Sequence, residues 1–211
     1  MKTLAQQYGH TALWRAYSGQ REETLEELTP LLDLASLEGY NSTLIEGLVR
    51  NATRSISANT VHAIILEHVL NEEDLLAIQT CFSRMNMMED LRQTLEGEEA
   101  YCGKMFNVYR VESDPLFEGG YWQRSFIKLV YSFGYMDLNK AAVFKAMRGF
   151  RAAIDTEGQT LDYAAWKKAE DLPKSLFNIL ARETISVVGN ASNRFLRMQS
   201  ERDAVILGCA L

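Results

Sequence analysis

The chain has 211 residues, enough for one sizeable hydrophobic core or for two small subdomains on a shared one. Its net charge is -6, which speaks against the basic face of a nucleic-acid binder. No stretch reaches the ~18 consecutive apolar residues of a membrane span, and the first residues, MKTLAQQYGHTALW, lack the apolar run of a signal peptide, so the chain itself is expected to be soluble and not to insert in a bilayer.

The apolar spacing is helical nearly throughout. Residues 3–18 predict a first helix ending at Gly19. Residues 21–38 predict a second, opened by the acidic turn REETLEEL and closed at Gly39. Together they read as a helical hairpin that resembles a tetratricopeptide-type pair, present in one copy. Asn41 or Ser42 is placed to cap a third helix over 43–70. Its apolar positions Leu44, Ile45, Leu48, Val49, Ala52, Ile56, Val61, Ile64, Ile65 and Val69 are expected on one face, interrupted by the polar stretch NATRSISANT. Asn71 is expected to cap EEDLLAIQTCFSRM, and a long helix follows over 87–110. ESDPLFEGGYW, around Pro115, reads as a loop and as the boundary between two halves, 1–112 and 119–211, of one helical domain.

In the second half the pattern predicts an aromatic helix over 121–134. A helix capped by Asp137 or Asn139 should follow, with Val143, Met147, Phe150 and Ile154 on one stripe. Then come TLDYAAWKKAEDL, a break at Pro173, SLFNILARETI, and a last helix from 187 to the end. No strand-like alternation persists. The fold class expected is all-α, with roughly nine helices in an irregular antiparallel array.

Motifs for chemistry are few. His62 and His68 lie six residues apart on one predicted helix, ~120° around its axis and ~9 Å along it, and cannot hold one ion together. His68 falls on the apolar stripe and reads as a satisfied core histidine. Cys81, Cys102 and Cys209 form no CxxC pair, and their odd number argues against a disulfide framework. EGG at 118–120 lacks the spacing of a phosphate-binding loop. No metal, cofactor or catalytic residue is therefore assigned. Two charges break their local pattern: Glu98 sits in the stripe Leu91, Leu95, Cys102, Met105, Tyr109, and Arg202 in the stripe Ala191, Phe195, Met198, Val205, Cys209. A charge on an apolar stripe must be paired or lie at the rim. Glu98 with Arg202 is the ion pair expected, with Arg50 or His68 in reserve. A functional pocket near Glu98, His68 and Arg202 is the alternative.

The stretch STLIEGLVRNATRSISANTVHAIILEHVLNEEDLLAIQTCFSRMNMMEDLRQTLEGEEAYCGKMF resembles a family of uncharacterised bacterial proteins. The resemblance rests on Leu44, Ile45, Leu48, Val49 and Ala52, on Asp74, Leu75 and Gln79, and on Leu95, Gly97 and Glu98. WRAYSGQREETLEELTPLLDLASL is similar to that family's hairpin. The resemblance implies an all-helical envelope protein with an N-terminal membrane anchor elsewhere in the chain, and no known activity. It also implies that the last helix, ending SERDAVILGCAL, runs on in a longer protein. Val205, Ile206 and Cys209 are then expected to form an exposed apolar patch. The function expected is a non-catalytic module that binds a protein partner, or a second copy, through its C-terminal helix. The alternatives are a small-ligand binder or enzyme, and a cytoplasmic scaffold or regulatory domain.

Overall fold

A computed structural model describes residues 1–37, 43–111, 134–171 and 179–211. In chain order the elements are α1 (Lys2–Tyr17), α2 (Arg21–Ser36), α3 (Leu44–Leu66), α4 (Glu72–Ser83), α5 (Met87–Val111), α6 (Tyr135–Ala152), β1 (Ile154–Asp155), β2 (Thr160–Leu161), α7 (Tyr163–Glu170) and α8 (Ile179–Ala210). The fold is all-α, with β1 and β2 pairing as a minimal antiparallel hairpin that no alternation in the sequence announces. Its turn is held by the Asp155 carboxylate, which accepts the Glu157 and Gly158 N–H groups. The helix expected at SLFNILARETI and the last helix expected from 187 are, over the described residues, one helix, α8. The helix over 121–134, the Pro115 loop, the Pro173 break, Gly39 and the caps at Asn41 or Ser42 lie outside the described residues.

The chain forms two compact units. One draws on Met1–Tyr40, Ile45–Leu91 and Ser192–Leu211, the other on Asn41–Leu44 and Arg92–Ala191. The units part within α3, α5 and α8.

In the first unit, α1 and α2 form a hairpin joined by a tight turn in which Gly19 takes φ +69°, a left-handed value that favours glycine. The inward face of α1 is Ala5, Gly9, Ala12 and Ala16. These small residues let the neighbouring backbone approach closely. A Cβ on Gly9 would lie 2.7 Å from the Thr60 hydroxyl of α3. The facing stripe of α2 is Thr24, Leu28, Leu31 and Ala35.

α3 departs from its expected face. Ile45 and Val49 are exposed, whereas Arg50, Asn51, Thr53, Arg54, Ser57 and Thr60, in and around the polar middle, are buried. Two of the hydroxyls go inside because they are satisfied on the helix itself. Thr53 donates to the Val49 carbonyl at 3.1 Å and Ser57 to the Thr53 carbonyl at 3.1 Å. Such back-bonding satisfies the hydroxyl without a partner from outside the helix.

α4 begins as predicted, with a reciprocal capping box between Asn71 and Asp74. Asn86 opens α5 by accepting the Met88 and Glu89 N–H groups.

In the second unit, Val143, Ala146, Met147 and Phe150 of α6 form the buried face, and the Phe150 and Trp166 rings meet with centroids 4.3 Å apart. α6 and α7 approach closely, since a Cβ on Gly149 would lie 2.7 Å from that of Ala169. The cap expected at Asp137 or Asn139 is Gly134. Asn139 is buried mid-helix. Its amide donates to the Tyr135 carbonyl and its oxygen accepts the Ala181 N–H at 3.0 Å, closing the first turn of α8.

The Gly9 contact generates a test. Gly9→Ala should destabilise by roughly 1–3 kcal/mol, because the new methyl overpacks against Thr60. Combining it with Thr60→Ala, which removes that hydroxyl, should cost less than the two single changes together. Urea unfolding of the three variants measures this; strict additivity would remove the close approach from the account.

Candidate functional site

The first unit buries a charged cluster that joins three helices. Arg54 of α3 donates through Nε to the Ala35 carbonyl at 2.9 Å, in the last turn of α2. Its other arm binds the Asp90 carboxylate in the first turn of α5 and approaches the Met87 sulfur at 3.8 Å. Arg50, one turn before Arg54, places its Nε 3.7 Å from the other Asp90 oxygen. All three side chains are buried. The site suits a carboxylate, because the N-terminal end of α5 carries the positive end of its dipole. The arrangement is structural: it closes an orphan carbonyl and locks helix ends.

A second cluster lies at the start of α2. Arg21 grips Asp74 with two bonds of 2.7 Å, a bidentate fork. Asp74 also accepts the Asn71 N–H at 3.0 Å. The Arg21 hydrogen bond, aided by that N–H, holds the Asp74 carboxyl below the usual carboxylate range, against the opposing effect of burial.

The sequence-predicted residues fall as follows. Glu98, in the second unit, accepts the Leu44 N–H at 2.9 Å, capping the first turn of α3 from another helix. Arg202, in the first unit, is buried. It donates to the Met85 carbonyl at 2.6 Å and to the neighbouring Asp203 carboxylate at 2.6 and 2.9 Å. Each charge is thus satisfied within its own unit by groups other than those expected.

His68 is not a core histidine. α3 stops at Leu66, and the Glu67 and His68 N–H groups turn back to the Ile64 and Ile65 carbonyls. His68 takes φ +53°, off the helical path, and its side chain is exposed. The stripe that placed it inside required the helix to continue.

The C-terminal patch is corrected in part. Val205 is buried at 1% exposure, Ile206 and Cys209 are half-buried, and Leu207 is the residue turned outward. The reason is packing within the first unit: the Gln79 amide of α4 donates to the Ile206 carbonyl at 3.1 Å, and Gly208 faces Ile65 of α3.

For chemistry, the thiols are poor nucleophiles. Burial pushes the Cys102 thiol up to about 12, with the Glu98 carboxylate adding to the effect, and burial also raises Cys209. Such thiols stay protonated near neutral pH. Among the described residues no group of three or more His, Cys, Asp or Glu side chains is placed to hold a metal ion, and no helix is long and apolar enough to cross a membrane.

Sequence reasoning missed an exposed aromatic face on α1. Trp14 is 60% exposed and Tyr17, one turn on, 65% exposed. The Arg15 guanidinium lies 4.9 Å from the Trp14 ring centre, a cation–π contact. The signal was available: both rings lie away from the Ala5, Gly9, Ala12, Ala16 face.

The chain matches no family model, no curated protein and no solved structure.

The Arg21–Asp74 fork predicts a pH effect. Asp74 has a depressed pKa when folded, so its contribution to stability is present above its unfolded value of about 3.9 and is lost as pH falls through the folded value. The stability difference between wild type and Arg21→Met, measured by urea unfolding, should therefore shrink as pH is lowered from neutrality toward and below about 4. A difference constant across that range would show that Arg21 does not set the Asp74 titration.

Proposed function

We propose that this chain is a non-catalytic helical module that binds a protein partner through the Trp14, Arg15, Tyr17 face of α1. The observation that carries the reading is the exposure of two large aromatic rings, one turn apart, with an arginine stacked on one of them. Trp, Tyr and Arg dominate the energetics of protein interfaces, and here they lie together on one stretch of helix surface. The small-residue face of α1 supports the reading, because it packs the helix closely against α3 and turns the rings away from that contact. The α1–α2 hairpin is read as a tetratricopeptide-type pair used for recognition. The resemblance of 42–106 to uncharacterised bacterial helical proteins makes an envelope protein, anchored elsewhere in its chain, the setting we favour. A pocket built from Glu98, His68 and Arg202 is the weaker reading, because Glu98 caps a helix, Arg202 binds a carbonyl and His68 faces outward.

Replacing both rings, Trp14→Ala with Tyr17→Ala, should change stability by only about 0.5 kcal/mol per site, as for ordinary surface positions. A photo-crosslinking amino acid at position 14, in cells that make the protein natively, should give a discrete adduct with another protein. The same group at Glu26, exposed on α2, should not. No adduct at 14 beyond the Glu26 control, or a collapse of stability in the double variant, would overturn the reading.

A further inference from the structure

We propose that a groove in the first unit, between α1, α3 and α8, binds a small amphipathic anion: a carboxylate or phosphate head on a short apolar chain. The groove encloses about 470 Å³, within the size range of small-molecule sites. Its floor is apolar, formed by Leu48, Ala52 and Ile56 at helical spacing on α3 and by Met198 of α8. Its rim is cationic. Lys2 of α1 and Arg194 of α8 both line it and are exposed, and neither has an ion-pair partner among the described residues. Arg197 also lines it, with its charge shared by Glu201 at 2.9 Å. Glu201 is held in turn by the Ser55 hydroxyl, so its carboxylate is already occupied. A chain of net charge -6 thus gathers cations around an apolar floor.

The decisive group is Asn51. It lines the groove at 5% exposure, and its carbonyl oxygen is buried without a hydrogen-bond partner among the described residues. An unsatisfied buried amide destabilises the fold and calls for a specific reason. Its neighbours on the groove wall, Ser55 and Glu201, are bonded to each other and leave it out. An anionic ligand carrying a hydroxyl or a protonated acid oxygen supplies the missing donor, while Lys2 and Arg194 take its charge and the floor takes its chain. The groove is separate from the aromatic face of α1: neither Trp14 nor Tyr17 lines it.

Calorimetric titration of the full 211-residue chain with three matched probes tests this: hexyl phosphate, inorganic phosphate and 1-hexanol, at about pH 5, below the second phosphate pKa of about 6, so that the head keeps one acid O–H to donate. Hexyl phosphate should bind at least about tenfold more tightly than either other probe, because only it engages head and tail sites together. Lys2→Ala with Arg194→Ala, at two exposed positions without ion-pair partners among the described residues, should keep the melting temperature and weaken hexyl phosphate about tenfold or more. Asn51→Leu should weaken binding while leaving the melting temperature unchanged or raised, since it removes an unsatisfied amide. The Trp14→Ala, Tyr17→Ala variant should bind as wild type does, so this proposal and the partner-binding one fail separately. Hexyl phosphate binding no better than hexanol, or unaffected by removal of Lys2 and Arg194, would overturn the site. So would a detectable affinity that Asn51→Leu leaves intact.

Discussion

Arg54 reaches from the middle of α3 to the end of α2 and the start of α5, and the packing of the first unit depends on that reach. A guanidinium taken out of water must have its donors met. Here one arm closes a backbone carbonyl of α2 and another meets the Asp90 carboxylate. Asp90 is in turn steadied by Arg50 and by the dipole of the helix it opens. The three groups therefore fix which turn of α3 faces which end of its neighbours. An apolar seam would tolerate sliding more readily, because hydrophobic contact has no direction.

The same device recurs. Helix ends leave backbone groups without partners inside the helix, and in this protein side chains from other helices supply several of them. Glu98 of α5 caps α3, Asn139 of α6 caps α8, and Arg202 of α8 takes the Met85 carbonyl between α4 and α5. Where the neighbour must come very close, the sequence uses small residues instead: Gly9 against Thr60, and Gly149 against Ala169. The rings of α1 and the groove beside Asn51 are two of the places where this economy is broken, with apolar surface left open in one and an amide oxygen left unmet in the other.

Much of the frame was legible in the sequence. Asn71 before three acids announced the start of α4, and Val143, Met147 and Phe150 announced the buried face of α6, whereas Ile154, placed on the same stripe, lies past the helix end in β1. Periodicity fails where polarity and burial part company. The middle of α3 reads as a solvated stretch, yet Thr53 and Ser57 enter the core because a hydroxyl can bond its own helix. Glu98 and Arg202 were noticed for the right reason, as charges among apolar neighbours. Their partners include backbone groups, which no pattern of side chains can name. His68 was misplaced because a left-handed residue ended the helix without a glycine to mark it. Trp14 and Tyr17 could have been found by asking which large residues lie off the Ala5, Gly9, Ala12, Ala16 face.

The Arg54–Asp90 contact anchors the first unit, and a double-mutant cycle tests that directly. Asp90→Ala, Arg54→Met and the pair are compared by urea unfolding at neutral pH. Removing Asp90 alone should cost roughly 3–5 kcal/mol, because it strands buried guanidinium charge. The double change should cost less than the sum of the singles by more than about 0.5 kcal/mol, the usual limit of additivity for independent sites. A small cost for Asp90→Ala together with additive effects would contradict the account, since the helices would then be held by apolar packing alone.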